Sequence, residues 1–489
     1  AASSAVAPAG MRLSRRGSGA SAAKEKRKWR KSYNSQVFGT MAREQKTAAW
    51  PIGLLFFKED VGIENIREKV QNIILTVPRF RSRMTKEDFE ELDLKDIDLD
   101  YHVVQVNETV SFDFVQREYI GNVYQNWDID MEKPLWRYVY FPNLDDGRSL
   151  LVTFIQHAIG DGVSLMELLF RLLDEPKTAL SPTHSYVEKS ASNASIRPPA
   201  KRKAPQVGAL KLLRHVLKGT ATAFATVLGP ADVNPLMREA VRDPSIVKST
   251  SLTESISLTR IKEIKQKFPG TTVNDILVAL LSMTLRAHFE STPEGKAFLE
   301  DPHLRATFPI NSRAPGEDVF REGSPYNAAT LGILEFPLDF DSPGTLVWQV
   351  KELLDGVKVS PTSKIVGPLS TVVTGLRSII NPGEKLTDLI LDLYCSQTAM
   401  LSNVAGPQTA VHFAGHEVTD FSFLLYAPTS LYLALLSYND KVTCGFCMDS
   451  SLGEASGLAA HWQTQFERLS DFVSSHDGPI PPPEKSWWE

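Results

Sequence analysis

Apolar and polar positions along the chain fall into two blocks of alternating strand and helix patterns. In the first, from about Ser35 to Asp174, Ile52–Phe57, Leu99–Val106, Trp136–Phe141 and Leu150–Ile155 read as strands. Residues 63–76 and 112–126 carry helical spacing, and Val163–Leu173 reads as a helix with Val163, Met166, Leu169 and Phe170 on one apolar face. In the second block, from about Ser249 to Ser475, helices are expected over Thr271–Ala287, Thr345–Val357 and Glu454–Ser474. Strands are expected over Leu304–Ile310, Ala329–Phe336, Phe421–Leu425, Leu431–Tyr438 and Lys441–Asp449. Strands interleaved with helices imply a mixed α/β fold. At 489 residues the chain exceeds one ordinary core, so two α/β domains are expected.

The expected plan runs as follows. Residues 1–34 form a basic tail, 35–174 the first domain, 175–248 a linker, 249–475 the second domain and 476–489 a Pro-rich tail. The linker contains a basic amphipathic stretch, Val207–Leu228, with Leu210, Leu213 and Leu217 on one face. That stretch reads either as a surface helix packed on a domain or as a helix lying in a membrane interface.

Charge changes this picture only at the N-terminus. The whole chain carries −5, which offers no general attraction to nucleic acid. The first 31 residues hold nine Lys/Arg against Glu25 alone, leaving −13 on the remainder. Rich in Ala, Ser and Gly, that segment lacks the apolar residues to fold. It reads as a disordered tail, a transit peptide or a polybasic anchor for anionic lipid.

Several chemistries lack their signatures. Three cysteines make no disulfide framework, and strand alternation sends Cys444 and Cys447 to opposite faces. The longest apolar stretch, Phe421–Tyr438, contains Pro428 and reads as two strands rather than a membrane span. No HExxH, GxSxG or GxxxxGK[ST] occurs, so metal, serine-nucleophile and nucleotide chemistry are not expected.

One segment does point to chemistry. The apolar run Leu150–Ile155 leads through Gln156 to His157, and Asp161-Gly162 follows before the next helix. A histidine at a strand-to-helix corner can be held from the backbone side with its tip open to substrate, as a general base requires. Asp161 is expected to turn inward to an arginine and fix the corner, with Gly162 permitting a tight backbone. Arg81 is the candidate partner, with Arg79 and Arg83 as alternatives.

His157-x3-Asp161-Gly162 resembles the active-site motif of the CoA-dependent acyltransferase superfamily. Pro134-Leu135-Trp136, Asn274-Asp275 and Ser402-Asn403-Val404-Ala405-Gly406-Pro407 are similar, in order, to the PLW, ND and SNVPGP motifs of the wax ester synthase/diacylglycerol acyltransferase family. Pro78-Arg79-Phe80-Arg81, Leu99-Asp100-Tyr101-His102-Val103 and Ser437-Tyr438-Asn439-Asp440 add to the set, and the resemblance covers about residues 36–475. The chain departs from it twice. Gln156 stands where the family's HHxxxDG has its first histidine, and Ala405 replaces a proline, which is expected to loosen a loop.

The resemblance implies a two-domain, chloramphenicol acetyltransferase-like α/β fold with the active-site tunnel between the domains. It implies transfer of a fatty acyl group from acyl-CoA, as co-substrate, to a long-chain alcohol or diacylglycerol, with no cofactor or metal. His157 is then the general base, and Asp161 and Gly162 build the catalytic corner. Gln156, Arg81, Pro134, Leu135, Trp136, Asn274, Asp275, Ser402 and Asn403 bind substrate or support the site, with Asn274 a candidate oxyanion donor. Poorly soluble substrates imply a peripheral membrane or lipid-droplet surface, on the cytoplasmic face of the endoplasmic reticulum or the droplet. A plastid is implied instead if residues 1–31 are a transit peptide. The Gln156 substitution keeps open a second reading, a lipid-binding or regulatory protein of the same fold without turnover. A condensation domain of peptide synthetases is a third, disfavoured because no carrier domain is attached.

Overall fold

The computed structural model describes residues 28–30, 33–43, 49–85, 88–123, 129–175, 229–237, 247–314, 317–359 and 395–483. The basic tail before Lys28, the stretch Val207–Leu228 and most of the linker lie outside the described residues.

In chain order the elements that position the site are strands β1 (Trp50–Phe57), β2 (Val103–Gln105), β3 (Trp136–Phe141) and β4 (Ser149–Ile155), then helix α1 (Gly162–Leu172). The second half contributes β5 (Lys248–Leu252), α2 (Val273–Glu290), β6 (Arg305–Asn311), β7 (Ala329–Glu335) and α3 (Pro343–Val359). It continues with β8 (Ala399–Ala405), β9 (His412–Phe413), β10 (His416–Tyr426), β11 (Leu431–Tyr438), β12 (Lys441–Asp449) and α4 (Ala455–Ser474).

Two mixed sheets result. The first has the order β9-β10-β1-β4-β3-β2 and the second β7-β6-β8-β11-β12-β5, with the short strand Ile256–Ser257 also on β12. Sheet membership overrides the expected division at 249–475. β10 pairs with its neighbour β9 on one side and antiparallel with β1 on the other, from Tyr426 opposite Trp50 to Val418 opposite Phe57. The second half therefore completes the first, and the first sheet has no β1 partner on that side without it.

At the centre of the second sheet, β11 is apolar on both faces because both are covered. Leu431, Leu433 and Leu435 of β11 join a core with α2, α3 and α4, whereas Tyr432, Ala434, Leu436 and Tyr438 join the core around the first sheet. Such two-sided burial explains why β11 reads as an unbroken apolar run. Cys444 lies in one core and Cys447 in the other, as alternation requires.

Three expected elements differ. Residues 99–106 are not one strand: Leu99–His102 is a helical turn, because the Asp98 carboxylate accepts from the Asp100 and Tyr101 amides and caps it, and only Val103–Gln105 pairs. The 112–126 pattern gives Phe112–Phe114 in α and Val115–Ile120 in π geometry, while 124–128 lie outside the described residues. Helix α1 buries Ser164, Glu167, Leu168, Phe170 and Leu172, leaving Val163 42% exposed. Its rotation is set by polar bonds at its start: the Asp161 carboxylate accepts from the Ser164 amide, and Ser164 Oγ donates to the carbonyls of Asp161 and Tyr326.

Candidate active site

His157 stands at the end of the fully buried strand β4. The ladder continues past the strand on both sides: Gln156 N donates to Leu135 O (2.9 Å) and His157 N to Ala49 O (3.0 Å). The Pro134-Leu135-Trp136 motif therefore has a mechanical part. Leu135 anchors the residue before the histidine. Trp136 is fully buried, donates from Nε1 to Phe80 O (2.7 Å) and stacks on His102 at 4.2 Å.

Gln156 turns away from the reaction side and is fully buried. Its Oε1 accepts from the Ala158 amide, and its Nε2 donates to Phe38 O (3.3 Å). Phe38 belongs to the helix Tyr33–Arg43, and its ring stacks on the His157 imidazole, centroids 4.3 Å apart at 24°. One amide side chain thus ties the corner to the helix that covers the histidine.

The imidazole is partly buried. Burial lowers its pKa from the usual histidine value; its own backbone, the Asp161 charge and Asn327 oppose that shift. His157 is accordingly neutral at physiological pH. On the other side of the ring, Nδ1 lies 3.2 Å from Asn327 Oδ1.

Asp161 does turn inward to an arginine, but the partner is Arg313. Nη1 of Arg313 meets Asp161 Oδ2 at 2.9 Å and Nη2 meets Oδ1 at 3.1 Å, with both side chains almost wholly buried. The carboxylate also accepts from the amides of Ser164 (3.0 Å) and Ala328 (2.7 Å). Arg81 instead donates to Glu91 (2.7 Å) and to Leu75 O (2.8 Å), and Arg83 pairs with Glu90 and Glu132. Pro78–Arg81 is a tight 3-10 turn, and the carboxylates of the adjoining hairpin lie nearer to these two arginines than the corner does. Arg79 does reach the corner, through Ile159 O (3.0 Å) rather than Asp161, and burial brings its pKa down to about 10.

The glycine that the corner requires is Gly160. A Cβ there would sit 2.7 Å from Ser164 Oγ and 2.8 Å from Pro325 Cβ, whereas a Cβ on Gly162 would meet nothing within 4 Å. The expectation that Gly162 relaxes the backbone is thus corrected: it opens helix α1 in a position any residue can take.

The remaining motif residues lie at the start of α2 and on the second sheet. Thr272 and Asp275 form a reciprocal cap at the start of α2, so Asp275 serves the helix. Asn274 Oδ1 accepts from Asn403 Nδ2 (2.7 Å), joining the ND and SNV motifs to each other. Ser402 is buried on β8 and hydrogen-bonds Tyr432 on the adjacent strand. Ala405 is the last residue of β8 and pairs with Ser437, so it ends a strand rather than loosening a loop.

Ser35, Phe38, Arg313 and Asn327 escaped the sequence reading. Arg313 is one of 53 basic residues, and nothing near it in the chain separates it from the rest. Asn327, which precedes β7, carries no local signal either.

Two α/β halves that share a sheet, with a partly buried histidine at a strand-to-helix corner, form a chloramphenicol acetyltransferase-like fold. The first condensation domain of the CDA synthetase shares that fold: TM-score 0.54 at 13% identity, covering 94% of this chain and 98% of that one. The wax ester synthase/diacylglycerol acyltransferase from Marinobacter aquaeolei VT8 gives 0.59 at 18% identity, covering 91% of this chain and all of that one. Residues 59–277 match the profile of the wax ester synthase/diacylglycerol acyltransferase catalytic domain, and 327–470 that of the WS/DGAT C-terminal domain. The chain belongs to the wax ester synthase/diacylglycerol acyltransferase family. Among relatives, wax ester synthase/diacylglycerol acyltransferase 3 of Arabidopsis thaliana is 24% identical over 438 residues, 81% of this chain and 85% of that protein. A probable diacylglycerol O-acyltransferase of Mycobacterium tuberculosis is 21% identical over 345 residues, 68% of this chain and 70% of the other.

Proposed function

We propose that this protein transfers a fatty acyl group from acyl-CoA to a long-chain alcohol or diacylglycerol, forming wax esters or triacylglycerol, with His157 as the general base. The observation that carries the reading is the neutral His157 ring, braced by Phe38 and Asn327 at the corner. The thioester is already activated, so catalysis needs alignment of two chains and a base for the hydroxyl. The acceptor oxygen attacks the thioester carbonyl carbon as its proton passes to the imidazole. The C–S bond then breaks, and the imidazolium returns the proton to the CoA sulfur, giving ester and free CoA. A base of this kind contributes about 10²–10⁴-fold. Asp161 does not exchange protons in this scheme; tied to Arg313, it holds the corner.

Purified protein supplied with labelled palmitoyl-CoA and either hexadecanol or dioleoylglycerol tests the assignment. Ester product lost in His157→Ala supports it, and product undiminished in that variant removes His157 as base. Absence of product from both acceptors in the unaltered protein would favour a lipid-binding role. The scheme has no metal or cofactor step, so a chelator should leave the rate unchanged. Because both substrates are lipids, the reaction belongs at a membrane or droplet surface, on the cytoplasmic face of the endoplasmic reticulum or the droplet. Flotation with anionic liposomes, with and without residues 1–31, tests that placement.

A further inference from the structure

We infer that the acidic strand Asp88–Glu91 is a docking surface for the chain's own basic N-terminal segment, and that this docking seats the helix that packs Phe38 on His157. The inference rests on His157 being the base, and it adds a remote surface that positions that base.

Asp88–Glu91 pairs antiparallel with Ser82–Met84 on one edge and with Lys28–Arg30 on the other, so the acidic strand is the middle one of three. The register sets opposite charges side by side. Lys28 lies opposite Glu90 and Arg30 opposite Asp88, with Trp29 between them opposite Phe89. Paired residues share a face of a sheet, so Trp29 takes the face on which Phe89 and Met84 enter the core, and the two basic residues take the other. An extended segment that adds a strand draws affinity from main-chain hydrogen bonds and selectivity from its alternate side chains. Basic–aromatic–basic against acidic–apolar–acidic is such a match. The docked strand also belongs to a strongly basic stretch, since six of the eight residues 24–31 are Lys or Arg.

From this strand the chain runs directly to the base. Only Lys31 and Ser32 separate Arg30 from the helix Tyr33–Arg43, so a docked Arg30 keeps the helix start within about 11 Å of the acidic edge. Ser35 is fully buried and accepts from Asn327 Nδ2 (3.0 Å). Phe38 O accepts from Gln156 Nε2 (3.3 Å), and the Phe38 ring stacks on the imidazole. An isolated helix of 11 residues is marginal in water, so its place depends on anchors of this kind. A second route starts from the same strand. Arg79 lies over the Phe89 ring at 4.9 Å and donates to Ile159 O (3.0 Å) at the corner. The aromatic residue opposite Trp29 thus backs an arginine that holds the corner. Trp29 and Arg30 are positioning residues that act through the helix and the hairpin.

The test uses the full chain in neutral detergent micelles, with labelled palmitoyl-CoA and hexadecanol, so that attraction of the basic segment to anionic lipid does not enter. Removing residues 1–31 deletes all three cross-strand pairs, which together shift docking about tenfold or more. In that variant kcat should fall about tenfold, with KM for both substrates little changed. The acid limb of kcat/KM should move up toward 6.5, because a ring without Phe38 on its face is less buried. Amide exchange over Tyr33–Arg43 should quicken. Unchanged kcat, acid limb and exchange refute the inference. Charge exchange then tests the surface itself. Asp88→Lys and Arg30→Asp should each reproduce part of the loss, and the Arg30→Asp/Asp88→Lys double variant should regain most of it. A double variant no better than the poorer single one removes the acidic strand as the docking surface. The two levels fail separately: activity surviving in His157→Ala sinks the base assignment, whereas amide exchange reports docking of the helix whichever residue is the base.

Discussion

Replacing Arg313 by Ala should be among the costliest single changes near the corner, and replacing Arg81 one of the mildest. Arg313 and Asp161 side chains are 2% and 5% exposed, and their contacts are two-pronged. Removing the arginine leaves a buried carboxylate without its counter-charge, a defect that costs about 3–5 kcal/mol. The amides of Ser164 and Ala328 still bond Asp161, which places the expectation near the lower end, about 3 kcal/mol. Arg81 and Glu91 are 21% and 19% exposed, so losing that pair should cost about 1 kcal/mol. Urea unfolding at pH 7, followed by tryptophan fluorescence, compares Arg313→Ala, Arg81→Ala, Asp161→Asn and the Arg313→Ala/Asp161→Asn double variant. The Arg313–Asp161 cycle should return about 2–3 kcal/mol of coupling, since each charged hydrogen bond is worth about 1.5–3 kcal/mol and the two overlap. An Arg81→Ala protein as unstable as Arg313→Ala, or a coupling near zero, would refute the assignment of the partner.

Other expectations follow from the same geometry. Gly160→Ala should lower the melting temperature, because its Cβ meets Ser164 and Pro325 below 3 Å, while Gly162→Ala should leave it unchanged or slightly higher; the reverse order in a thermal scan would contradict the packing. Gln156→Ala should cost about 1–3 kcal/mol in urea unfolding by stranding the Ala158 amide and Phe38 carbonyl. The acid limb of kcat/KM should fall below the ordinary histidine value of 6.5, since burial lowers the His157 pKa, and a limb above 6.5 would show that Asp161 outweighs burial. His102, buried against Trp136, has its pKa brought down to about 4 by burial. Between that value and 6.5 the unfolded chain binds the extra proton, so this residue's share of stability is complete above pH 6.5 and is lost as pH falls toward 4. The share amounts to about 3 kcal/mol. His102→Phe should flatten that part of the stability–pH curve, and an unchanged slope would assign it to other groups.

Chemistry confined to a few consecutive residues was legible in the sequence. The strand Leu150–Ile155, the histidine after it, the capping aspartate and the following helix sit within about two dozen residues, and their order alone places a histidine at a corner. The Asp275 cap and the opposite-facing Cys444 and Cys447 belong to the same kind, because strand and helix periods operate over a few residues. What the sequence left open lies far apart along the chain. Arg313 meets Asp161 across 152 positions and Asn327 meets His157 across 170. β10 crosses from the second half to pair with β1. No local pattern distinguishes one arginine or asparagine among many, because its partner is chosen by which segments the folded sheets bring together. The sequence alone therefore pointed to the kind of chemistry and to the residue proposed to perform it. The tertiary structure decided what holds that residue: strands from both halves share one sheet, and the folded chain brings Asn327 and Phe38 to the imidazole and Arg313 to Asp161, contacts no local pattern can specify.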